Sequence, residues 1–232
     1  MIPWIQLDSA TIPDGGELRL MRRGAELSIM SGSIELMNSR LSGSEVALAS
    51  LACARVRGRA KAKVLVGGLG MGFTLRAALA ELSGDAAVVV AELVPAVVAW
   101  ARGPMAQLFA GCLGDPRVTV RETDVAEVIA GARGAFDAIL LDVDNGPGGL
   151  NRDANDRLYS LGGLAAARRA LTPGGVLAVW SAGRDEGFTR RLRGAGYAAE
   201  EVPVRATAGR RGARHVIWLA TPGSARGLSP GP

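Results

Sequence analysis

The residues whose types and spacing could do chemistry stand directly after short apolar runs. The first group is a glycine stretch, Gly68, Gly70 and Gly72, which follows the apolar run 64–66 and precedes a helical pattern. Without side chains at these positions, the backbone can turn sharply and approach a ligand closely. The same pattern is also compatible with a tight turn between a strand and a helix, so alone it does not establish a binding site.

Two acidic residues occupy comparable places further along the chain. Glu92 follows the run 87–91, about 20 residues after the glycines, where a carboxylate can accept both hydroxyl groups of a ribose. Asp124 follows the run 118–120 and precedes another helical pattern. It could cap that helix, or accept the amino group of an adenine, and both roles can hold at once.

A third acidic position lies where the active sites of open α/β sheets are found. Asp142 ends the run 138–141, and Asp144 and Asn145 follow in a loop rich in glycine. Two carboxylates at a strand end could bind a cationic amine or remove its proton. An Asx turn at the strand exit would need the same residue types. We predict that Asp142 and Asp144 are catalytic.

These residues need an alternating β/α framework to bring them together. Repeated units of strand and helix imply a parallel sheet with helices on both faces. The predicted strands are 64–66, 87–91, 118–120, 138–141 and 176–180, and the predicted helices are 73–82, 96–109, 125–130 and 156–171. Two further strand-like runs, 197–202 and 215–220, have no helical pattern between them and predict an antiparallel pair at the sheet edge.

The two ends of the chain differ from this framework. Residues 1–42 contain three short strand-like runs, at 17–21, 25–29 and 34–37, which are too few for an independent domain. We expect them to form an N-terminal β extension packed on an α/β domain at 43–220. Residues 221–232 are rich in Gly, Ser and Pro and predict a disordered tail.

Composition excludes several classes of protein. The chain has 232 residues, 48% of them hydrophobic, which suffices for one sizeable core. No apolar run reaches the ~18 residues of a membrane span, and the first residues do not resemble a secretory signal. We therefore expect a cytoplasmic protein without a membrane partner. Cys53 and Cys112 match no metal-binding spacing, so no metal site is predicted, and the single histidine, His215, is predicted to be structural.

The net charge of +5 leaves a nucleic-acid partner possible. Arginines concentrate before the first parallel strand and between the last two strand-like runs. They are Arg55, Arg57, Arg59, Arg205, Arg210, Arg211 and Arg214. Aromatic residues make up only 4% of the chain, which counts against a platform for stacking single-stranded bases. A general compositional bias toward arginine is the alternative explanation.

The order of these motifs resembles class I S-adenosylmethionine-dependent methyltransferases and, more closely, the spermidine synthase family built on that fold. The resemblance runs from about residue 26 to residue 219. The phrases that carry it, besides the glycine stretch, are Glu35-Leu-Met-Asn-Ser-Arg40, Asp115-Pro-Arg-Val118, Phe136-Asp-Ala-Ile-Leu-Leu-Asp142, Leu158-Tyr-Ser160 and Arg169-Ala-Leu-Thr-Pro-Gly-Gly-Val-Leu177. The implied fold is α/β, a doubly wound and mostly parallel seven-stranded sheet of the Rossmann-like methyltransferase type, with a short N-terminal β extension.

The resemblance also implies roles. The three glycines, Glu92 and Asp124 would hold an S-adenosyl donor, either S-adenosylmethionine or its decarboxylated form. Asp142 would orient or deprotonate an attacking amine, and a methyl or aminopropyl group would move to a small amine by in-line displacement. Substrate contacts are predicted for Glu45, Asn145 and Tyr159. A homodimer is expected, because family members often pair and the N-terminal strands need cover.

Several positions depart from the family pattern. Met71 replaces an Asp within the glycine motif, which favours ordinary S-adenosylmethionine as the donor. Gly43-Ser44-Glu45 replaces a Tyr-His-Glu, and Trp180-Ser181 stands where a Gln is usual. Three alternatives therefore stay open: an enzyme that cyclises or cleaves S-adenosylmethionine itself, an RNA methyltransferase, and a non-catalytic adenosyl-binding module.

Overall fold

The computed structural model describes residues 2–13, 15–143, 146–147, 157–207 and 212–223. These residues form two β-sheets and the helices that cover them. The strands are β1 (Ile5–Thr11), β2 (Glu17–Arg23), β3 (Glu26–Ser31), β4 (Ile34–Asn38), β5 (Lys63–Gly67), β6 (Ala87–Glu92), β7 (Val118–Glu122), β8 (Phe136–Leu141), β9 (Leu171–Ser181), β10 (Tyr197–Arg205) and β11 (Arg214–Pro222). The α-helices are α1 (Gly43–Val56), α2 (Phe73–Glu81), α3 (Pro95–Arg102), α4 (Ala106–Phe109), α5 (Val125–Ala130), α6 (Leu161–Ala170) and α7 (Glu186–Gly194).

The larger sheet has seven strands in the order β10-β11-β9-β8-β5-β6-β7. Strands β5 to β9 pair in parallel, whereas β11 pairs antiparallel with both β9 and β10. This confirms the predicted doubly wound, mostly parallel sheet and its antiparallel closing pair. Strands β6 and β7 lie on one side of β5, and the later strands β8 and β9 lie on its other side, so the strand order reverses at β5. Such a switch in strand order opens a crevice at the carboxyl ends of the strands, where ligands bind.

The core lies in two layers, one on each face of this sheet. Successive side chains of a strand point to opposite faces, so Val64 and Val66 enter the layer beneath α1 and α2, and Leu65 enters the layer beneath α5 and α6. Strands buried on both faces need apolar residues at every position. This requirement explains the short uninterrupted apolar runs in the sequence.

The smaller sheet is antiparallel, in the order β1-β2-β3-β4. Its inner face buries Leu18, Leu20, Leu27 and Ile29 in the same layer as α1 and α2. A hydrogen bond also joins it to the larger unit, since the indole N–H of Trp100 on α3 donates to Asp8 Oδ2 at 2.6 Å. The N-terminal sheet therefore covers the carboxyl-end edge of the larger sheet.

Four details differ from the sequence predictions. Strand β1 was not predicted, because it is an edge strand with mostly exposed side chains and little apolar alternation. The predicted helix 96–109 is two helices, since Gly103 and Pro104 interrupt it. Helices α1 and α7 were not among the predicted helices. Strand β11 extends to Pro222, two residues into the predicted tail, whereas residues 224–232 lie outside the described residues.

None of the helices in the described ranges combines the length and the apolar composition required to cross a membrane.

Candidate active site

A cavity of about 250 Å³ lies between the N-terminal sheet and the carboxyl ends of β5, β6, β7 and β8. The strand ends contribute five of the residues predicted from the sequence, whereas Gly72, Glu45 and Tyr159 do not line the cavity. These five residues are Gly68, Gly70, Glu92, Asp124 and Asp142. The N-terminal sheet and its first turn contribute a mostly apolar wall that includes Ile12, Leu18, Ile29, Ser31 and Met37.

The three glycines are required for different reasons. Gly68 has a φ of +87°, and a Cβ there would lie 2.4 Å from the carbonyl oxygen of Asp142. A Cβ on Gly70, where φ is +49°, would lie 3.1 Å from Met37 Sδ at the cavity wall. A Cβ on Gly72 would lie 2.4 Å from the Phe109 ring. Gly68 and Gly70 thus shape the cavity, whereas Gly72 allows α2 to pack against α4.

Glu92 holds the glycine loop in place. It is 8% exposed, and its carboxylate accepts the backbone N–H of Leu69 at 2.8 Å and that of Val94 at 2.9 Å. These hydrogen bonds fix the carboxylate at the wall of the cavity, where the predicted contact with the ribose hydroxyls would be made. The structural role and the predicted binding role are therefore compatible.

Asp124 caps helix α5. Its Oδ1 accepts the backbone N–H of Ala126 at 2.8 Å, and the residue also lines the cavity. Capping and contact with a ligand, the two roles that the sequence left open, can thus be held by the same side chain.

Asp142 and Glu45 form a pair of coupled carboxyl groups. Asp142 follows β8, and its Oδ2 accepts the hydroxyl of Thr74 from α2 at 2.6 Å. Burial and the nearby charge of Glu45 raise the pKa of Asp142 to about 7. Burial also raises the pKa of Glu45, although the hydroxyl of Ser44, which donates to Glu45 Oε2 at 2.7 Å, opposes this shift. Asp142 can therefore gain or lose a proton near neutral pH.

Three neighbours of this pair were missed as site residues. Ser44 precedes Glu45 in the first turn of α1, Thr74 lies in α2, and His215 on β11 places its Nδ1 2.9 Å from Ser44 Oγ. Only the fold brings them together, and no local spacing marks them. We call Ser44, Glu45, Thr74, Asp142 and His215 the carboxylate cluster, and Gly68, Gly70, Glu92 and Asp124 the nucleoside face.

The remaining predicted residues lie elsewhere. Tyr159 is 2% exposed and packs edge-on against Phe188 in the second core layer, with ring centroids 5.6 Å apart. It is not among the residues that line the cavity. Met71 is 3% exposed and belongs to the first core layer. Asp144 and Asn145 lie outside the described residues.

Comparison with known proteins gives related sequences over part of the chain. No family model matches it. The chain is 37% identical over 119 residues to the polyamine aminopropyltransferases of Mycobacterium tuberculosis and Mycobacterium bovis. The match covers 50% of this chain and 22% of those proteins. The chain thus spans about a fifth of the length of the curated relatives that it matches.

Solved structures match over most of the chain. A spermidine synthase in complex with the transition state analogue AdoDATO superposes with a TM-score of 0.74, and the spermidine synthase of Thermotoga maritima with 0.70. Each is 19% identical, and the match covers 94% of this chain and 72% of theirs. The chain has the spermidine synthase fold. This confirms the Rossmann-like methyltransferase fold and the resemblance inferred from the motifs.

Within the spermidine synthase fold, two chemically different groups of residues meet at the cavity: the nucleoside face lines it, and Asp142 lines it from the carboxylate cluster. The nucleoside face offers acceptors that are already oriented by backbone N–H groups. The carboxylate cluster offers a carboxyl group that titrates near neutral pH. The first part is suited to binding a neutral sugar and base, and the second to binding and deprotonating a cation.

Proposed function

We propose that this chain transfers an aminopropyl group from decarboxylated S-adenosylmethionine to a small cationic amine. The observation that carries the proposal is the charge of the cavity. Glu92, Asp124 and Asp142 line it, whereas no Lys or Arg of the described chain does. Decarboxylated S-adenosylmethionine bears only positive charge, on its sulfonium and its ammonium groups. The carboxylate of S-adenosylmethionine would add a negative charge beside three acidic residues.

The departure at Met71 does not outweigh this observation. From the sequence, the loss of an acidic residue at this position favoured S-adenosylmethionine. Because Met71 is buried in the core and does not line the cavity, the side chains that do line it guide our choice of donor. The names of the sequence relatives, which are polyamine aminopropyltransferases, support the same choice.

The nucleoside face would hold the donor. In our proposal, Glu92 accepts the ribose hydroxyls, Asp124 accepts the amino group of the adenine, and Gly68 and Gly70 leave room for the backbone to approach. The apolar wall from the N-terminal sheet would cover the donor and exclude water.

The transfer itself then needs alignment and one proton transfer. The ammonium group of the acceptor gives a proton to the Asp142 carboxylate, and the neutral amine nitrogen attacks the carbon of the aminopropyl group that is bound to sulfur. The new C–N bond forms as the C–S bond breaks, and the electron pair of that bond passes to sulfur, which leaves as a neutral thioether. General-base assistance of this kind contributes about 10²–10⁴-fold to a rate.

Product analysis by mass spectrometry tests the proposal. The protein is incubated with either donor, with and without 1,3-diaminopropane, 1,4-diaminobutane or 1,5-diaminopentane. We expect an aminopropylated diamine and an equal amount of thioether, from the decarboxylated donor only. Asp142→Asn is the matched control, because it keeps the shape and removes the base.

Three results would overturn the proposal. A methylated amine formed from S-adenosylmethionine would establish methyl transfer instead. A product formed from S-adenosylmethionine alone would establish cyclisation or cleavage. Calorimetry that detects binding of neither donor would remove the basis for both.

A further inference from the structure

The only histidine of the chain contacts the carboxylate cluster through a serine. His215 Nδ1 lies 2.9 Å from Ser44 Oγ, and Ser44 Oγ lies 2.7 Å from Glu45 Oε2. Ser44 is 1% exposed, so its hydroxyl forms these two hydrogen bonds away from water. The hydroxyl has a single proton, and it must therefore donate to one neighbour while it accepts from the other.

This geometry allows one proton to be shared between Glu45 and His215. In one arrangement the Glu45 carboxyl carries the proton and donates to Ser44, which donates to the lone pair of His215 Nδ1. In the other, the carboxyl proton has passed to Ser44 Oγ while the hydroxyl's own proton has passed to Nδ1. Glu45 is then a carboxylate and His215 an imidazolium, and no atom has been gained or lost.

We infer that His215 is a positioning residue for the amine acceptor, which acts through Ser44 to keep Glu45 oriented and ionised. The inference rests on the proposed function, since a cationic acceptor needs an ionised carboxylate. Burial raises the pKa of Glu45 and lowers that of His215. The two affinities for a proton therefore approach each other, which favours sharing.

The other groups packed around His215 do not replace Glu45 in this role. Trp180 on β9 presents an uncharged ring, with centroids 4.8 Å apart, and Val204 lies opposite His215 on β10. Arg214 precedes His215 on β11, so its side chain points to the other face of the sheet, and it is exposed. The acidic groups on the side of Ser44 are Glu45 and Asp142, which are coupled electrostatically.

The consequence is a wider pH range for acceptor binding. When the cluster holds a proton beyond the one that Asp142 takes up near pH 7, His215 can carry it and leave Glu45 ionised. Without an imidazole, that proton stays on a carboxyl group, and the cationic acceptor loses its partner. Coupled groups of this kind titrate together, so the effect is visible in the acidic limb of the pH profile.

Two substitutions distinguish the hydrogen bond between His215 and Ser44 from the ability of His215 to take up a proton. His215→Asn keeps a donor for Ser44 but cannot take up a proton, whereas His215→Phe removes both. We expect both variants to move the acidic limb of kcat/KM for the amine upward by about half to one pH unit. Only His215→Phe should also lower the plateau at high pH, by about tenfold, the equivalent of one lost hydrogen bond. Arg214→Gln, which changes the neighbouring exposed residue, should leave both quantities unchanged.

The dissociation constant of the donor provides a check on folding, and all variants should bind it as the wild type does. The inference would be overturned if His215→Phe had the wild-type pH profile and the wild-type KM for the amine. A His215→Asn profile equal to that of the wild type at every pH would equally overturn proton sharing.

A second readout does not require any transferase activity. Because the chain has one histidine, its nitrogen resonances are unambiguous, and an NMR titration gives the pKa of His215 directly. We expect Glu45→Gln to lower that pKa, since the carboxylate that stabilises the imidazolium is lost, and Ser44→Ala to alter the Nδ1 resonance. If the wild type transfers nothing but these couplings are present, the proposed function fails while the link between His215 and Glu45 stands. If His215 titrates identically in all variants, the link itself fails.

Discussion

The nucleoside face and the carboxylate cluster meet at one cavity, which Asp142 alone of the cluster lines, but the chain builds them in different ways. In the nucleoside face, each acidic side chain accepts a backbone N–H two residues further along, as Asp124 does from Ala126, and Glu92 also accepts that of Leu69 from the preceding βα unit. In the carboxylate cluster the contacts join distant segments. His215 and Ser44 are 171 residues apart, and Thr74 and Asp142 are 68 apart. The nucleoside face thus depends on single βα units and their immediate neighbours, and the carboxylate cluster depends on the complete fold.

The two parts also treat their acidic groups differently. Glu92 receives two backbone hydrogen bonds, which fix the orientation of its side chain. Asp142 receives one hydroxyl, and the burial and the negative charge of Glu45 oppose its ionisation. Groups with displaced pKa values concentrate where proton transfer occurs. This difference supports our proposal that donor binding and proton transfer are carried out by different groups of residues.

The largest expected effect comes from removing the base. Asp142→Asn should lower kcat for aminopropyl transfer by about 10²–10⁴-fold, because the acceptor ammonium then has no group to take its proton. The dissociation constant of the donor, measured by calorimetry, should change by less than about threefold, since the nucleoside face is untouched.

Thr74→Val is the matched control for this change. It removes the hydroxyl that donates to Asp142 but leaves the carboxyl group in place, so it should reduce kcat far less than Asp142→Asn. If Asp142→Asn weakened donor binding as much as it lowered kcat, the separation between the two parts would be wrong.

The next effect concerns the point where the two parts meet. In Gly68→Ala the added Cβ would lie 2.4 Å from the Asp142 carbonyl oxygen, at a φ of +87°. Backbone must therefore shift, and we expect a loss of about 2–4 kcal/mol in the free energy of unfolding. Urea denaturation checks this value.

Gly84→Ala is the control, because a Cβ there meets no atom within 4 Å and its φ is not in the left-handed region. Equal stability of the two variants would show that a side chain is tolerated where the glycine loop packs against the backbone of Asp142. A stable Gly68→Ala variant with normal kcat would contradict the close contact between the two parts.

Glu92→Gln tests the contribution of the nucleoside face to donor binding. A glutamine keeps one oxygen acceptor but turns a donor toward the backbone N–H of Leu69 or Val94, and it loses the charge that orients ribose hydroxyls. We expect the dissociation constant of the donor to rise about 10–100-fold, while kcat at saturating donor stays within a few-fold of the wild type.

Glu122→Gln is its natural comparison, because Glu122 ends the neighbouring strand β7 in register with Glu92 but is exposed. It should bind the donor as the wild type does. If both variants lost affinity equally, the general negative charge of this edge would matter and the two hydrogen bonds of Glu92 would not.

The same contrast explains how much could be predicted from the sequence. The strands and the positions of Gly68, Glu92 and Asp124 were predictable, because apolar runs and the residues that end them are local features. Asp142 was predictable for the same reason. Ser44, Thr74 and His215 were not, since they come together only when α1, α2 and β11 meet at the sheet edge. Strand β1 was missed because an exposed edge strand has no apolar pattern to reveal it.

The pH dependence of the free energy of unfolding shows how much the burial of Asp142 destabilises the protein when its carboxyl group is ionised. The folded pKa of Asp142, about 7, is above the ordinary value of 3.8, so between these pH values the folded protein binds a proton that the unfolded chain has lost. Its contribution to stability is therefore complete at low pH and disappears as the pH rises through about 7. We expect Asp142→Asn to be more stable than the wild type at pH 8, by about 1–2 kcal/mol. At pH 5 this gain in stability should be smaller.

Thermal unfolding of both proteins at the two pH values provides the measurement. Asp115→Asn serves as the opposite case, because hydrogen bonds from Arg117 lower the pKa of Asp115 to about 2. That variant should not gain stability at pH 8. An Asp142→Asn variant that was equally or less stable than the wild type at pH 8 would show that the ionised Asp142 carboxylate does not destabilise the fold.

The smallest effect concerns the cover over the nucleoside face. The carboxylate of Asp8 accepts the indole N–H of Trp100 at 2.6 Å and so joins the N-terminal sheet to α3. Because the sheet supplies one wall of the cavity, Asp8→Ala should raise the KM for the donor by about two- to fivefold, the equivalent of one partly exposed hydrogen bond. Steady-state kinetics should show kcat unchanged, and Ser9→Ala, on the same exposed edge, should change neither constant. A fall in kcat without a change in KM would instead link the N-terminal sheet to the carboxylate cluster.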